Sequence, residues 1–244
     1  MLTPFPASID ASGPPPGGSM QDRVYRQIRD GLMSGRFEPG EKLTIRGIAA
    51  ALGSSPMPVR EALHRLQAER AFDVTDTARL RVRSMTPALL CEIRDARVAL
   101  EGLLAEAAAR LVGPDDLEEI TLRYRQLEAA VESHDRRSYL WSNFAFHRAV
   151  YLRARREITL SAAERFWLMI GPSFTLLAPD EAHLQASMAV HAQILAALRA
   201  HDGAAAREAV AADIIQAADS LLDLLRERRA PRQTSPRQGR AGVA

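Results

Sequence analysis

The chain has 244 residues, 47% of them hydrophobic and 25% charged, with a formal net charge of +2 and one cysteine. This is the composition of a water-soluble folded protein. No apolar run approaches the roughly 20 residues of a membrane span, and a lone Cys91 excludes an intramolecular disulfide and suits a reducing cytoplasm. The charge is unevenly spread. Residues 20–85 carry 12 Lys/Arg against 8 Asp/Glu, residues 86–225 carry 14 against 20, and residues 226–244 carry six arginines and one glutamate. A basic first third joined to an acidic remainder suits a polyanionic partner for the first part alone.

Residues 1–19, rich in Pro, Gly and Ser, have no basic start followed by an apolar core. They read as a disordered arm rather than a secretory signal. From residue 20, "MQDRVYRQIRDGLMSGRF" spaces Val24, Ile28 and Leu32 as one helix face, with Gly35 after the last turn. A turn on Pro39-Gly40 follows, then a short helix with Ile45, Ile48, Ala49 and Leu52 on one side and Gly53 at its end. Ser54 or Ser55 caps a third helix opening on Pro-Met-Pro, where missing amide protons cost nothing. Its buried stripe is Val59, Ala62, Leu63 and Leu66. "FDVTDTARLRVRS" reads as a small hairpin.

Three helices and a hairpin over residues 20–85 outline a winged helix-turn-helix, in which the amino end of the third helix meets the DNA major groove. The groove-facing set is then Ser55, Met57 and Arg60, flanked by Arg46 and Arg65, with Arg79, Arg81 and Arg83 on the hairpin. Arg60 stands where a guanidinium reaches guanine edges or phosphate. The same pattern also fits a small solvated helical unit with ordinary surface arginines.

After residue 85 the chain reads as helix after helix, beginning with a cap at Thr86 and a first break at Gly113-Pro114, and no strand is expected. About six helices over residues 86–227 make an all-helical bundle, followed by a basic, disordered tail at residues 228–244. Asn143 and His147 lie four apart on one helix face. His191 and Asp213 are equidistant from a turn at Asp202, so an antiparallel helical hairpin sets them level. Four such groups inside a bundle suit a divalent transition metal. Two core histidines and two surface polar residues fit the spacing equally well. Glu101 and Glu106 fit a helix surface, and Trp141 and Trp167 fit a core or a dimer interface. No partnered nucleophile and no phosphate-cradling glycine loop is evident, so an enzyme is not expected.

The stretch "YRQIRDGLMSGRFEPGEKLTIRGIAAALGSSPMPVREALHRL" resembles the amino-terminal domain of the GntR family of bacterial transcription regulators. The likeness runs through the turn around Pro39-Gly40 and the S-x-x-P-V-R-E-A-L helix. It implies DNA contacts at Arg46 and Arg60, with a further family arginine replaced by Pro56. The family's glycine after the recognition helix is Arg70 here, and its wing-tip glycine is Arg79. The segments "EIRDARVALEGLLAEAAA", "NFAFHRAVY" and "HAQILAALRAHDGAAAREAVAADI" resemble the FCD ligand-binding domain of the FadR branch of that family. This implies zinc or nickel held by Asn143, His147, His191 and Asp213, where many members have Asp, His, His and His. It also implies that Arg97 faces the pocket and holds the carboxylate of a small organic acid; a partnership with Glu101 one turn away is the alternative. The expectation is a mainly α protein, a winged helix-turn-helix with an FCD-like bundle. It would act as a cytoplasmic homodimer, most simply a repressor, on a palindromic operator.

Overall fold

A computed structural model describes residues 19–74, 80–177 and 181–229. The amino-terminal unit starts with α1 (Met20–Met33), whose cap is the Ser19 hydroxyl accepting the Asp22 amide at 3.1 Å. α2 (Ile45–Leu52) is capped by Thr44, which accepts the Gly47 amide at 3.1 Å, and it ends on Gly53 at φ 58°. α3 (Pro56–Ala68) follows directly. Strands β1 (Phe72–Val74) and β2 (Leu80–Val82) pair antiparallel, with Phe72 opposite Val82 and Val74 opposite Leu80. The apolar stripes read from the sequence are the faces that pack: Val24, Ile28 and Leu32 of α1 meet Val59, Ala62, Leu63 and Leu66 of α3. Burying a side chain of that size contributes about 1.5–3 kcal/mol, which outweighs the weak helix preference of Val and Ile.

The second unit comprises α4 (Pro87–Leu111), α5 (Pro114–Glu132), α6 (Arg136–Leu152), α7 (Glu157–Ile170), a 3-10 turn (Gly171–Leu176), α8 (Glu181–Arg199) and α9 (Gly203–Arg229). α4 lies along α9, α5 along α6 and α8 along α9. The Thr86 hydroxyl accepts the Leu89 amide, and Pro87 opens α4 without wasting a donor. The 3-10 turn was not foreseen. It follows from Gly171-Pro172, where proline cannot continue the α-helical ladder. α9 runs through Arg229, two residues beyond the expected end of the bundle at 227. Of the expected arm and tail, only Ser19 and residues 228–229 fall within the described residues.

One apolar core spans both units. Leu32, Met33 and Phe37 of the first share it with Trp167, Leu168, Ile170 and Phe174 of the second. Gly171 sits against the α1 terminus, where any Cβ would stand 2.5 Å from the Leu32 carbonyl oxygen and 2.7 Å from that of Met33. Nearby, Glu164 of α7 takes an ion pair from Arg29 of α1 and lies 3.5 Å from Arg148 of α6. A buried carboxylate needs such partners to offset its desolvation. α7 therefore joins the DNA-facing unit to the bundle interior.

Candidate nucleic-acid interface and metal centre

α3 presents two unlike sides. Pro58, Val59, Ala62, Leu63 and Leu66 are buried, whereas Ser55, Pro56, Met57, Arg60, Glu61 and His64 are exposed. Met57 is 61% exposed, at the first turn of the helix. Ser55 occupies the N-cap position yet its side chain makes no capping hydrogen bond. Pro56 and Pro58 carry no amide proton, which leaves Met57 as the amide donor of those first three helical positions. Anion contacts at this end must therefore come chiefly from side chains. Arg46 on α2 and Arg60 on α3 are exposed and, among the described residues, have no hydrogen-bond or ion-pair partner.

Other arginines are already committed. The Arg65 guanidinium lies 3.9 Å from the centre of the Tyr25 ring and 3.0 Å from Asp22 Oδ1, holding α3 to α1. Arg65, expected to flank Arg60 at the groove, stays half exposed while making these contacts. Arg81 donates to the Gly40 carbonyl at 3.1 Å, and Arg83 donates to the Arg70 carbonyl at 2.7 Å, so both brace the hairpin. Arg70, standing where the family has glycine, adopts φ 62°, the left-handed region glycine favours. Arg79 lies outside the described residues.

Inside the bundle the structure brings all four expected metal ligands together. His147 Nε2 is 3.2 Å from His191 Nε2 and 3.2 Å from Asp213 Oδ2. His191 Nε2 is 2.8 Å from Asn143 Oδ1, and His191 Nδ1 is 3.8 Å from Asp213 Oδ1. Both histidines are buried, while the Asp213 side chain remains 13% exposed on the cavity side. His191 Nδ1 lies 2.7 Å from the Ser187 carbonyl oxygen. A carbonyl only accepts, so Nδ1 carries the proton, and the neutral ring aims an Nε2 lone pair at the Asn143 carbonyl oxygen. Burial pushes the His191 pKa down, which favours that neutral ring. Acceptors facing acceptors repel unless a cation sits among them. Ligands about 2.0–2.2 Å from an ion stand roughly 2.9–3.5 Å from one another, close to the spacings found here. The donor set fits zinc or nickel.

Beside this cluster lies a cavity of about 50 Å³, lined by Arg97, Arg136, Tyr139, Asn143, Trp167, Phe174, His183, Ser187, Asp213 and Gln216 among others. At ~10–15 Å³ per water it admits a ligand of only a few heavy atoms. Arg97 does line it, with its guanidinium 4.3 Å from the centre of the Trp167 ring. Both sequence readings of Arg97 meet here. It pairs with Glu101 through Nε–Oε1 at 2.6 Å and Nη2–Oε2 at 3.1 Å, but deep in the bundle rather than at its surface. The surface reading of Glu101 is thus corrected: it is fully buried, compensated by Arg97 and by the Tyr151 hydroxyl, which donates to it at 2.8 Å. Trp167, read as core or dimer interface, forms part of the cavity wall. Tyr139, Tyr151, His183 and Ser187 were missed. The signal was a polar stripe at steps of four, Tyr139-Asn143-His147-Tyr151 on α6 and His183-Ser187-His191 on α8.

A winged helix with an exposed arginine helix, joined to a helical domain with an internal polar cavity, defines a DNA-binding transcription regulator. Residues 20–81 match the family model "Bacterial regulatory proteins, gntR family", and residues 92–233 match the FCD domain. The chain is 30% identical over 195 residues to the HTH-type transcriptional regulator McbR of Escherichia coli, covering 79% of this chain and 88% of that one. It is 30% identical over 198 residues to the E. coli HTH-type transcriptional repressor GlaR, covering 75% and 87%. The solved structure of E. coli McbR/YncC is similar with a TM-score of 0.78 at 28% identity, covering 87% of this chain and all of that one. A putative GntR regulator from Rhodococcus sp. RHA1 has the same fold, with a TM-score of 0.68. The chain belongs to the GntR family of bacterial regulatory proteins, in the branch that carries an FCD domain. Among the described residues no helix is long and apolar enough to cross a membrane.

Proposed function

We propose that the protein is a cytoplasmic homodimeric repressor whose helical domain binds a divalent transition metal and a small organic acid. In this reading, each subunit places Ser55, Met57 and Arg60, with Arg46 beside them, in the major groove of one half of a palindromic operator. Asn143, His147, His191 and Asp213 hold zinc or nickel. The carrying observation is the convergence of four acceptor atoms within the bundle, His191 with its only proton turned away toward Ser187. The metal supplies a Lewis-acidic centre with open positions for a carboxylate.

Arg97 keeps Nη1 free of Glu101, so it can hold a second oxygen of the acid while Trp167 covers its plane. Trp167 and Phe174 wall the cavity, and Glu164 and Gly171 on the same stretch of chain face α1. An acid that moves α7 thereby moves the DNA-facing unit. It releases DNA if it binds the DNA-incompetent arrangement more tightly. The relatives GlaR and a D-xylose operon regulator of Paenarthrobacter nicotinovorans are named as repressors, which supports the repressor reading. The buried polar groups of the cluster have binding partners in this scheme and no substrate chemistry, so the protein is read as a regulator and not an enzyme.

The test is operator binding by zinc-loaded protein against a panel of two- to three-carbon hydroxy, keto and dicarboxylic acids. At least one acid should weaken operator binding, and only when Arg97 is intact. If no acid shifts operator binding, the bundle is a dimerisation domain and the effector reading is wrong.

A further inference from the structure

The metal reading assigns ligands but does not say what holds His147 in a state able to ligate. A histidine can offer Nε2 only if its proton stays on Nδ1, and in a free ring the proton exchanges between the two nitrogens. For His191 the Ser187 carbonyl settles the matter. His147 has no such carbonyl. Its Nδ1 faces the Tyr151 hydroxyl at 3.1 Å, and a hydroxyl can either donate or accept.

The direction is fixed two bonds further on. Arg97 has five N–H donors, no acceptor and a charge it does not lose. It grips Glu101 along both carboxylate oxygens, so Glu101 stands ionised and can only accept. Tyr151 must then donate its single proton to Glu101 Oε2, at 2.8 Å. With that proton spent, the Tyr151 oxygen can only accept from His147 Nδ1–H. In the neutral ring Nε2 is then left as a lone pair directed at His191 and Asp213. All four residues are at least 97% buried, so water offers no alternative partner. A core that merely needed filling would take Phe and Leu at these positions, without the desolvation cost of an ion pair.

Resting on the metal reading, we propose that Tyr151 is the positioning residue of the site, holding His147 as its Nδ1–H tautomer, with Glu101 and Arg97 setting the polarity of the chain. Arg97 thus has a role before any effector arrives: it orients a metal ligand through Glu101 and Tyr151. Outer partners of this kind alter metal affinity by about 10–100-fold.

The experiment uses Tyr151→Phe, which removes one oxygen and keeps the ring. Long-range nitrogen–proton NMR of the metal-free, full-length protein reads the His147 tautomer directly, with the His191 signal as internal control. Wild type should show His147 protonated on Nδ1; Y151F should move the proton wholly or partly to Nε2 and leave His191 unchanged. Zinc affinity, measured by competition with a chelator, should fall about 10–100-fold in Y151F. A wild-type His147 protonated on Nε2, or a tautomer unmoved in Y151F, overturns the proposal. The tautomer is read without metal, so a wild-type protein that failed to bind zinc would defeat the metal reading and leave this measurement to decide its own question. An unchanged His191 signal in Y151F shows that the fold is retained.

Discussion

Gly171 and Leu32 meet so closely that the two units of the chain share a backbone contact: a Cβ on Gly171 would lie 2.5 Å from the Leu32 carbonyl oxygen. No side chain fits there. Because backbone rather than a flexible side chain opposes the added atom, relief requires α1 and the 3-10 turn to separate. Gly171→Ala should lower the unfolding free energy by about 1–3 kcal/mol and should split a single urea transition into two, as the units lose cooperativity. Circular dichroism followed through urea gives both quantities. An unshifted midpoint would mean that the junction is loose.

The exposed and the committed arginines of the winged helix should behave differently. Arg60→Ala removes a free guanidinium from the groove-facing side and should weaken binding to a wild-type-selected duplex by about 1–3 kcal/mol, with relaxed specificity. Arg65→Ala removes a brace on Tyr25 and Asp22 instead. It should cost about 0.5–1 kcal/mol of stability and change DNA affinity much less. Fluorescence anisotropy and urea melts on the two variants separate these effects. The reverse pattern would exchange their roles.

Alkaline stability follows from buried phenols. Burial and the hydrogen bond to Glu69 push Tyr25 up to about 12, and burial does the same for Tyr139 against the opposing hydrogen bond from Ser187. A phenol with a raised folded pKa keeps its proton more firmly in the native state. Its contribution is complete below about pH 10, the unfolded value, and is lost as pH rises toward about 12. Urea midpoints should therefore fall across that window, and Tyr25→Phe should make the fall shallower. Identical pH slopes for the two proteins would show that Tyr25 titrates alike in both states.

Asn143 offers a neutral oxygen at 2.8 Å from His191 Nε2. Asn143→Asp adds a charged donor of the same shape and should tighten zinc binding, by roughly tenfold, about 1.4 kcal/mol. Asn143→Ala should weaken it. Chelator competition measures both, and equal affinities for all three proteins would remove Asn143 from the ligand set.

Much of this architecture was legible because apolar spacing alone decides it. Val24, Ile28 and Leu32, or Val59, Leu63 and Leu66, sit one turn apart and pack as that spacing requires. The convergence of four polar side chains was legible for a related reason: Asn143 and His147 are one turn apart, and the symmetric turn at Asp202 sets His191 level with Asp213. The inward role of Glu101 was not legible, because a Glu four residues after an Arg reads as a surface pair until the helix is seen to be covered by its neighbours. Tyr151 and Ser187 were missed because hydroxyl and backbone partners leave no charge in the sequence pattern. Nor could spacing say that Arg65 turns toward α1 while Arg60 stays free. That choice depends on Tyr25 and Asp22, at least 40 residues distant along the chain.

The most direct test of the metal account is calorimetric titration of the metal-free, full-length protein with zinc, alongside His191→Ala. The account predicts one zinc per chain for wild type, a melting temperature that rises with free zinc, and loss of binding in the variant. Wild-type protein that takes up no zinc or nickel, or His191→Ala that binds as well as wild type, would contradict it.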